Sequence, residues 1–195
     1  MQSCLDNVEQ YFKDAHLLIE NGSYGHAFAF TVLGEEELSK AYIYHECSEG
    51  FLPYHFVNKI GKGRESHKRK QAIQAVHVAI FAFVKSLQNT SLSKKEANEN
   101  WDKDFERMTE NIARMRHSEV EKQNGLYVDL RLDKGVIVTP DNVSKQTVEK
   151  RLAIAEEALR LTISFFMHQL TPSERETMKA KLESSGALDA MEQWF

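Results

Sequence analysis

Cysteine and long apolar runs are scarce in this sequence of 195 residues, and each scarcity excludes a class of protein. Its two cysteines, Cys4 and Cys47, form neither a Cys-x-x-Cys pair nor a close Cys/His set, so no zinc site is indicated. The longest apolar run, "AVHVAIFAFV" at 75–84, is too short to cross a bilayer. The first residues lack the basic and apolar regions of a signal peptide. We therefore expect a cytoplasmic protein without a metal, a cofactor or a membrane partner.

An excess of positive charge is also missing. The chain has 25 Lys and Arg against 29 Asp and Glu, which gives a formal charge of −4. A protein that binds nucleic acid over a whole face is usually basic, so any such site here must be a local patch. The length fits one domain with a sizeable core.

Proline occurs only three times, and the segments between the prolines have helical periodicity. The pattern predicts an all-α bundle with a short extended or β-hairpin excursion around 125–138, where Asn-Gly and Asp-Lys-Gly indicate turns. Ser93 is a predicted N-cap. The predicted helices span 5–20, 24–46, 63–87, 93–123 and 144–169, with a short helix from 172 and a tail from about 184.

The second predicted helix carries three acids in a row within "GEEELSKAY", residues 34–42. The neighbours of these acids at helical spacing are mostly apolar, which predicts that at least one carboxylate is buried and needs a partner. Lys40 follows Glu36 by four residues and Glu37 by three, which is a favourable order for an ion pair. The cluster is either an ion pair that holds the bundle together or one wall of a polar functional site.

Two further polar segments stand out. The basic segment "KIGKGRESHKRKQ" at 59–71 places His67 on a helical face with Arg64 and Lys70. It is either a phosphate-binding patch with a titratable imidazole or a solvated helix start. In "NGLYVDLR", Tyr127 and Asp129 would point the same way from an extended strand, and the alternative is a hairpin that packs on the bundle.

Together these segments resemble the AbiV family of abortive-infection proteins in bacterial phage defence, which is assigned to the HEPN superfamily. The matching elements are E-E-L-x-K-A at 36–41, H-x-x-K at 67–70 and K-x-x-G-L-Y-V-D at 122–129. A length near 200 residues and a long helix after a proline add to the likeness, which covers nearly the whole chain. One departure is Ser39, where the family usually has glycine, and we expect slightly looser helix contact there.

The resemblance implies a single HEPN-like domain over 1–195 that forms a homodimer. The apolar run Phe165, Phe166 and Met167 supports the dimer, because it puts apolar groups on more than one face of its helix. Many HEPN proteins are metal-independent endoribonucleases with an R-x4-6-H motif, but that motif is not found in this sequence. Any catalysis must therefore use the family's own polar residues, which would supply a base, an acid and a cation to the reacting phosphate.

These implications give one set of candidate residues and three alternative functions. The first is a phage-defence effector that arrests translation through RNA of the translation machinery, with a phage-encoded activator protein as a further partner. The second is a non-catalytic module that senses or binds a phage protein or a nucleotide. The third is a partner subunit of a separate nucleotidyltransferase. The candidate catalytic residues are His67, Glu36, Glu37, Asp129 and Tyr127, and the candidate RNA-binding residues are Lys40, Arg64, Lys68, Lys70 and Lys122.

Overall fold

The computed structural model describes residues 1–60, 93, 95, 96, 99, 103, 122, 125, 126, 129–131, 136–167 and 171–184. Every structural statement below concerns these residues. The predicted helix over 63–87 and most of the one over 93–123 lie outside them.

The described chain is mainly helical, which confirms the predicted helical fold. Five helices have both ends within the described residues, and they are numbered here in chain order. They are α1 (Gln2–Glu20), α2 (Tyr24–Ser48), α3 (His55–Ile60), α4 (Lys145–Met167) and α5 (Pro172–Ser184).

Local signals in the sequence set several helix ends. Gly22 has a φ of 75° between α1 and α2, a left-handed conformation that glycine adopts at little cost. Ser93 and Glu96 form the reciprocal hydrogen bonds of a capping box, which confirms the predicted N-cap. Thr171 and Glu174 make the same arrangement at the start of α5.

The hydrophobic core lies where α1 and α4 pack against α2. α1 and α4 each bury one stripe, whereas α2 is buried on several sides, as the sequence predicts for a central helix. Leu152, Ala155, Leu159, Thr162 and Phe166 have a heptad-like spacing on α4, and all are buried except Phe166, which is half-buried. The buried stripes are Leu5, Val8, Phe12, Ala15 and Ile19 on α1, and Val148, Leu152, Ala155, Leu159 and Thr162 on α4.

Two short strands precede α4. β1 (Asp129–Arg131) pairs antiparallel with β2 (Val136–Val138), and Leu130 lies opposite Ile137. A 3₁₀ turn at Pro140–Asn142 then leads towards α4. This turn packs tightly on the start of α2, since a Cβ on Gly25 would lie 2.5 Å from the carbonyl oxygen of Pro140.

Candidate functional site

The three consecutive acids of α2 face three different parts of the protein. Neighbouring residues on an α-helix are about 100° apart around its axis, so Glu35, Glu36 and Glu37 cannot share one face. Each of them forms an ion pair with a different cation. The acid row therefore forms ion pairs on three different sides of the central helix.

Glu36 pairs with Lys122, 86 residues further along the chain. The lysine Nζ donates a hydrogen bond of 2.9 Å to Oε1 of Glu36. Glu36 is only 3% exposed and Lys122 only 5% exposed. Removing two charges from water costs several kcal/mol per ion, so each side chain depends on its partner for stabilisation. The pair ties the segment around 122 to α2.

Glu35 pairs with Arg151 on α4. Two guanidinium nitrogens, Nε and Nη2, donate to Oε2 of Glu35 at 3.2 and 2.6 Å. The guanidinium group also lies over the ring of Phe28, 4.9 Å from its centroid. Phe28 lies on the same side of α2 as Glu35, so a charge-assisted pair and a cation–π contact together fasten α4 to α2.

Glu37 pairs with Lys40 within α2, at the i,i+3 spacing that the sequence predicts. Both side chains are half-buried, with 15% and 25% of their surface exposed. Burial lowers the pKa of Lys40, but the hydrogen bond and the charge of Glu37 outweigh it and raise the pKa. This pair contacts solvent, unlike the pair that Glu36 makes.

Backbone contact brings the segment around 125 against the same helix. A Cβ on Gly125 would lie 2.5 Å from the carbonyl oxygen of Gly25 and 3.6 Å from Cβ of Ala29. Gly25, Ala29 and Glu36 lie on one side of α2, which is the side that Lys122 reaches. The lysine and the glycine of the K-x-x-G-L-Y-V-D element therefore dock on α2 together.

Replacing Gly125 by alanine is expected to lower the free energy of unfolding by about 1–3 kcal/mol. The new methyl group would meet backbone oxygen, which cannot rotate away as a side chain can. Urea unfolding followed by circular dichroism measures the change. Ala153→Ser, on the exposed face of α4, is the control and should stay within about 0.5 kcal/mol of the wild type. Equal stability of the Gly125→Ala variant and the control would contradict the contact.

The structure describes half of the ten candidate residues. Glu36 lies with Lys122 and Glu37 lies with Lys40, so these four form two pairs with different surroundings. Asp129 is the first residue of β1. The five other candidates lie outside the described residues: Arg64, His67, Lys68, Lys70 and Tyr127. The functional roles of all ten stay predictions.

The partner predicted for the buried carboxylate needs correction. The sequence predicts that Lys40 neutralises a buried carboxylate, whereas the buried Glu36 pairs with Lys122 and Lys40 pairs with the half-buried Glu37. The looser helix contact expected at Ser39 stays a prediction, and the structure shows that this residue is 1% exposed and donates its hydroxyl to the Glu35 carbonyl at 2.9 Å. A serine that bonds back to its own helix fits a buried position without an unpaired polar group.

A third buried carboxylate, Glu46, was not predicted from the sequence. It is 0% exposed, and Nδ1 of His45 lies 3.0 Å from its Oε1. Its Oε2 makes no hydrogen bond within the described part of the chain. The ring of His45 in turn stacks on Phe166 with 4.3 Å between centroids. The sequence did contain a signal for the burial of Glu46. Glu46 follows Tyr42 by four residues, so the carboxyl group and the phenol lie on the same buried side of α2.

The contribution of Glu46 to the free energy of unfolding is expected to fall as the pH rises above the ordinary carboxyl pKa of 4.5. Burial raises the pKa of Glu46, although the hydrogen bond with His45 opposes the rise. The folded protein then binds the proton of Glu46 more tightly than the unfolded protein does. The stabilisation is therefore complete at a pH below the pKa of Glu46 in the unfolded protein, and it is lost as the pH rises through the pKa of Glu46 in the folded protein. Urea unfolding across this window should show that the free energy of unfolding of the wild type falls relative to that of the Glu46→Gln variant as the pH rises. Parallel curves for the two proteins would contradict the expectation.

The described residues contain neither a cluster of metal ligands nor a membrane-spanning helix. No group of three or more His, Cys, Asp or Glu side chains there is arranged to hold a metal ion. None of the helices in the same residues is long and apolar enough to cross a membrane.

Comparison with known proteins identifies the family. A family model described as AbiV, of the HEPN group, matches residues 1–160 of the 195. The match includes the acid row of α2, the basic segment and the K-x-x-G-L-Y-V-D element. Searches of curated proteins and of solved structures gave no significant match. The chain is therefore a member of the AbiV family in the HEPN superfamily, a family that implies phage defence by abortive infection.

Proposed function

We propose that this protein is an abortive-infection effector that arrests translation by acting on RNA of the translation machinery. Family membership supports the role in phage defence. The action on RNA is the proposed step, and it takes the form of cleavage or of tight binding. A homodimer is the proposed working form, and a phage-encoded protein is the proposed activator.

One observation carries the proposal: Lys122 and Gly125 anchor the K-x-x-G-L-Y-V-D element on the central helix. A buried ion pair and a close backbone contact hold this segment at two points. Tyr127 follows Gly125 by two residues in the sequence, and Asp129, two residues further on, is the first residue of β1. Functional side chains act best from a rigid support, and the contacts of Lys122 and Gly125 with α2 support the proposal that this element carries some of them.

The proposed chemistry is RNA cleavage without a metal ion. A base removes the proton of the ribose 2′-hydroxyl, an acid protonates the leaving oxygen, and a cation stabilises the charged phosphate. His67 and Asp129 are the proposed acid–base residues, Tyr127 is a further proposed catalytic residue, and Lys70 is the proposed cation. Arg64 and Lys68 would hold the RNA backbone through its phosphates.

The three ion pairs of α2 change the role proposed for the acids. A carboxylate that already accepts hydrogen bonds from a lysine or an arginine is a weak base, because the cation favours its charged form. Glu36 and Glu37 are therefore proposed as supports of the site, together with Lys40 and Lys122. His67 becomes the residue on which the proposed chemistry depends most.

The same ion pairs favour a second candidate function. If the conspicuous charges of α2 hold helices together, the protein could act by binding alone, as a non-catalytic module that recognises a phage protein or a nucleotide. This alternative requires no cleaved RNA. It therefore makes a different prediction from the first candidate in the following experiment.

Sequencing of RNA 5′ ends in cells that switch the protein on tests the proposal. Discrete new ends in tRNA or rRNA with the wild type, and none with the His67→Gln variant at equal protein level, are the expected result. Arrested translation with unchanged RNA ends would favour the binding alternative. Continued translation in the presence of the wild type and its phage trigger would contradict the proposed effector.

A further inference from the structure

One side of the central helix is half-exposed along much of its length. Phe30, Leu33, Glu37, Lys40 and Tyr44 are all half-buried, whereas most of the α2 residues between them are buried. Their spacing alternates between three and four residues, which is the spacing of a helix side that packs against another helix. These five residues are called the α2 seam below.

Side chains from α1 widen the α2 seam along one edge. The ring of Tyr11 meets Phe30 edge-on, with 5.8 Å between centroids. Cys4 is also half-buried, and the charges of the nearby Glu37 and Lys40 act on the pKa of its thiol. The result is a mainly apolar surface with one ion pair at its centre, which is the composition of an interface core and not of a solvated helix face.

The sequence of the α2 seam is complementary to itself when reversed. About a point midway between Glu37 and Lys40, the acid exchanges with the base and Leu33 exchanges with Tyr44. In an antiparallel pair of seams, Glu37 of each copy would lie opposite Lys40 of the other copy. The two-fold symmetry gives two such ion pairs, with apolar contacts on both sides of them. A parallel pair in register would instead place the two copies of Glu37 opposite each other, and like charges oppose that arrangement.

We propose that the α2 seam binds a second copy of this chain, antiparallel, about a two-fold axis between Glu37 and Lys40. The inference rests on the proposed homodimer and assigns it a surface. That surface differs from the end of α4 that the sequence analysis favoured. There Phe165 is buried within the chain, and Met167 is the residue that stays exposed.

Cysteine cross-linking tests the geometry. Leu33→Cys and Tyr44→Cys are combined in a chain whose Cys4 and Cys47 are replaced by alanine. Within one chain the two positions are 11 residues apart on α2, about 16 Å, whereas a disulfide needs Cα atoms within about 4.4–6.8 Å. A covalent dimer of the double variant on a non-reducing gel, and none with either single cysteine, is expected. A dimer from Leu33→Cys alone, or no dimer from the double variant, would overturn the antiparallel seam.

Charge reversal tests the same surface in solution. By light scattering, the wild type should have about twice the 22.4 kDa mass of the chain, and Glu37→Lys should weaken self-association at least about tenfold. Exchanging the two residues in Glu37→Lys/Lys40→Glu should restore it. Met167→Glu, which alters an 80% exposed side chain at the end of α4, is the control and should keep the dimer.

The outcomes separate the surface from the dimer itself. A monomeric wild type would contradict the proposed homodimer and the seam with it. A dimeric wild type that Glu37→Lys leaves intact would keep the homodimer and overturn the seam. Circular dichroism of each variant establishes that the helices have folded before the masses are compared.

Discussion

Replacing Lys122 by methionine is expected to lower the free energy of unfolding by about 3–5 kcal/mol. Lys122 donates a 2.9 Å hydrogen bond to Glu36, and both residues are almost fully buried. Methionine has a similar volume but no charge, so the carboxylate would lose a cationic partner inside the protein. Urea unfolding followed by circular dichroism measures the loss.

Lys145 provides a matched control for this substitution. It pairs with Glu149 on the surface of α4 at 3.6 Å, and both side chains are more than half exposed. Water replaces such a pair readily, so Lys145→Met should cost no more than about 0.5 kcal/mol. The loss of free energy of unfolding in Lys40→Met should lie between these two values, because the pair that Lys40 forms with Glu37 is half-buried. Equal losses for Lys122→Met and Lys145→Met would contradict the structural role of the buried pair.

Replacing His67 by glutamine is expected to abolish phage protection while it leaves the protein folded. Glutamine keeps a polar group of similar size but cannot exchange a proton near neutral pH, as an imidazole can. The melting temperature should change by less than about 2–4 °C, which corresponds to roughly 1 kcal/mol for a chain of this length. Plaque counts on cells that carry the variant measure the protection.

His16 supplies the control histidine. Its Nε2 lies 2.7 Å from Glu156 in an exposed pair that links α1 and α4. His16→Gln should therefore retain full protection at the same protein level. Full protection with His67→Gln would contradict the role of this residue in the proposed function.

The helices of the described chain could be predicted because their signals are local. The predicted second helix over 24–46 corresponds to Tyr24–Ser48 in the structure, and the predicted burial of its acids is confirmed for Glu35 and Glu36. Apolar residues on every side of a helix indicate a central position whatever surrounds it. The pairing of Glu37 with Lys40 was predictable for the same reason, since both lie on one turn of one helix.

The partners of Glu35 and Glu36 could not be predicted, because they come from 116 and 86 residues further along the chain. Spacing within a helix tells which residues share a face, but not which distant element covers that face. The glycine of the K-x-x-G-L-Y-V-D element is a similar case. Its need for a hydrogen in place of a side chain arises from the Gly25 carbonyl, which only the folded protein brings near.

A double-mutant cycle on Glu36 and Lys122 tests most directly whether the acid row of α2 binds the protein's segments together. The free energies of unfolding of Glu36→Gln, Lys122→Met and the double variant are compared with that of the wild type. We predict a coupling energy of about 2–3 kcal/mol, so that the double variant is more stable than the sum of the single losses implies. Additive losses, within about 0.5 kcal/mol, would contradict a direct interaction between the two side chains.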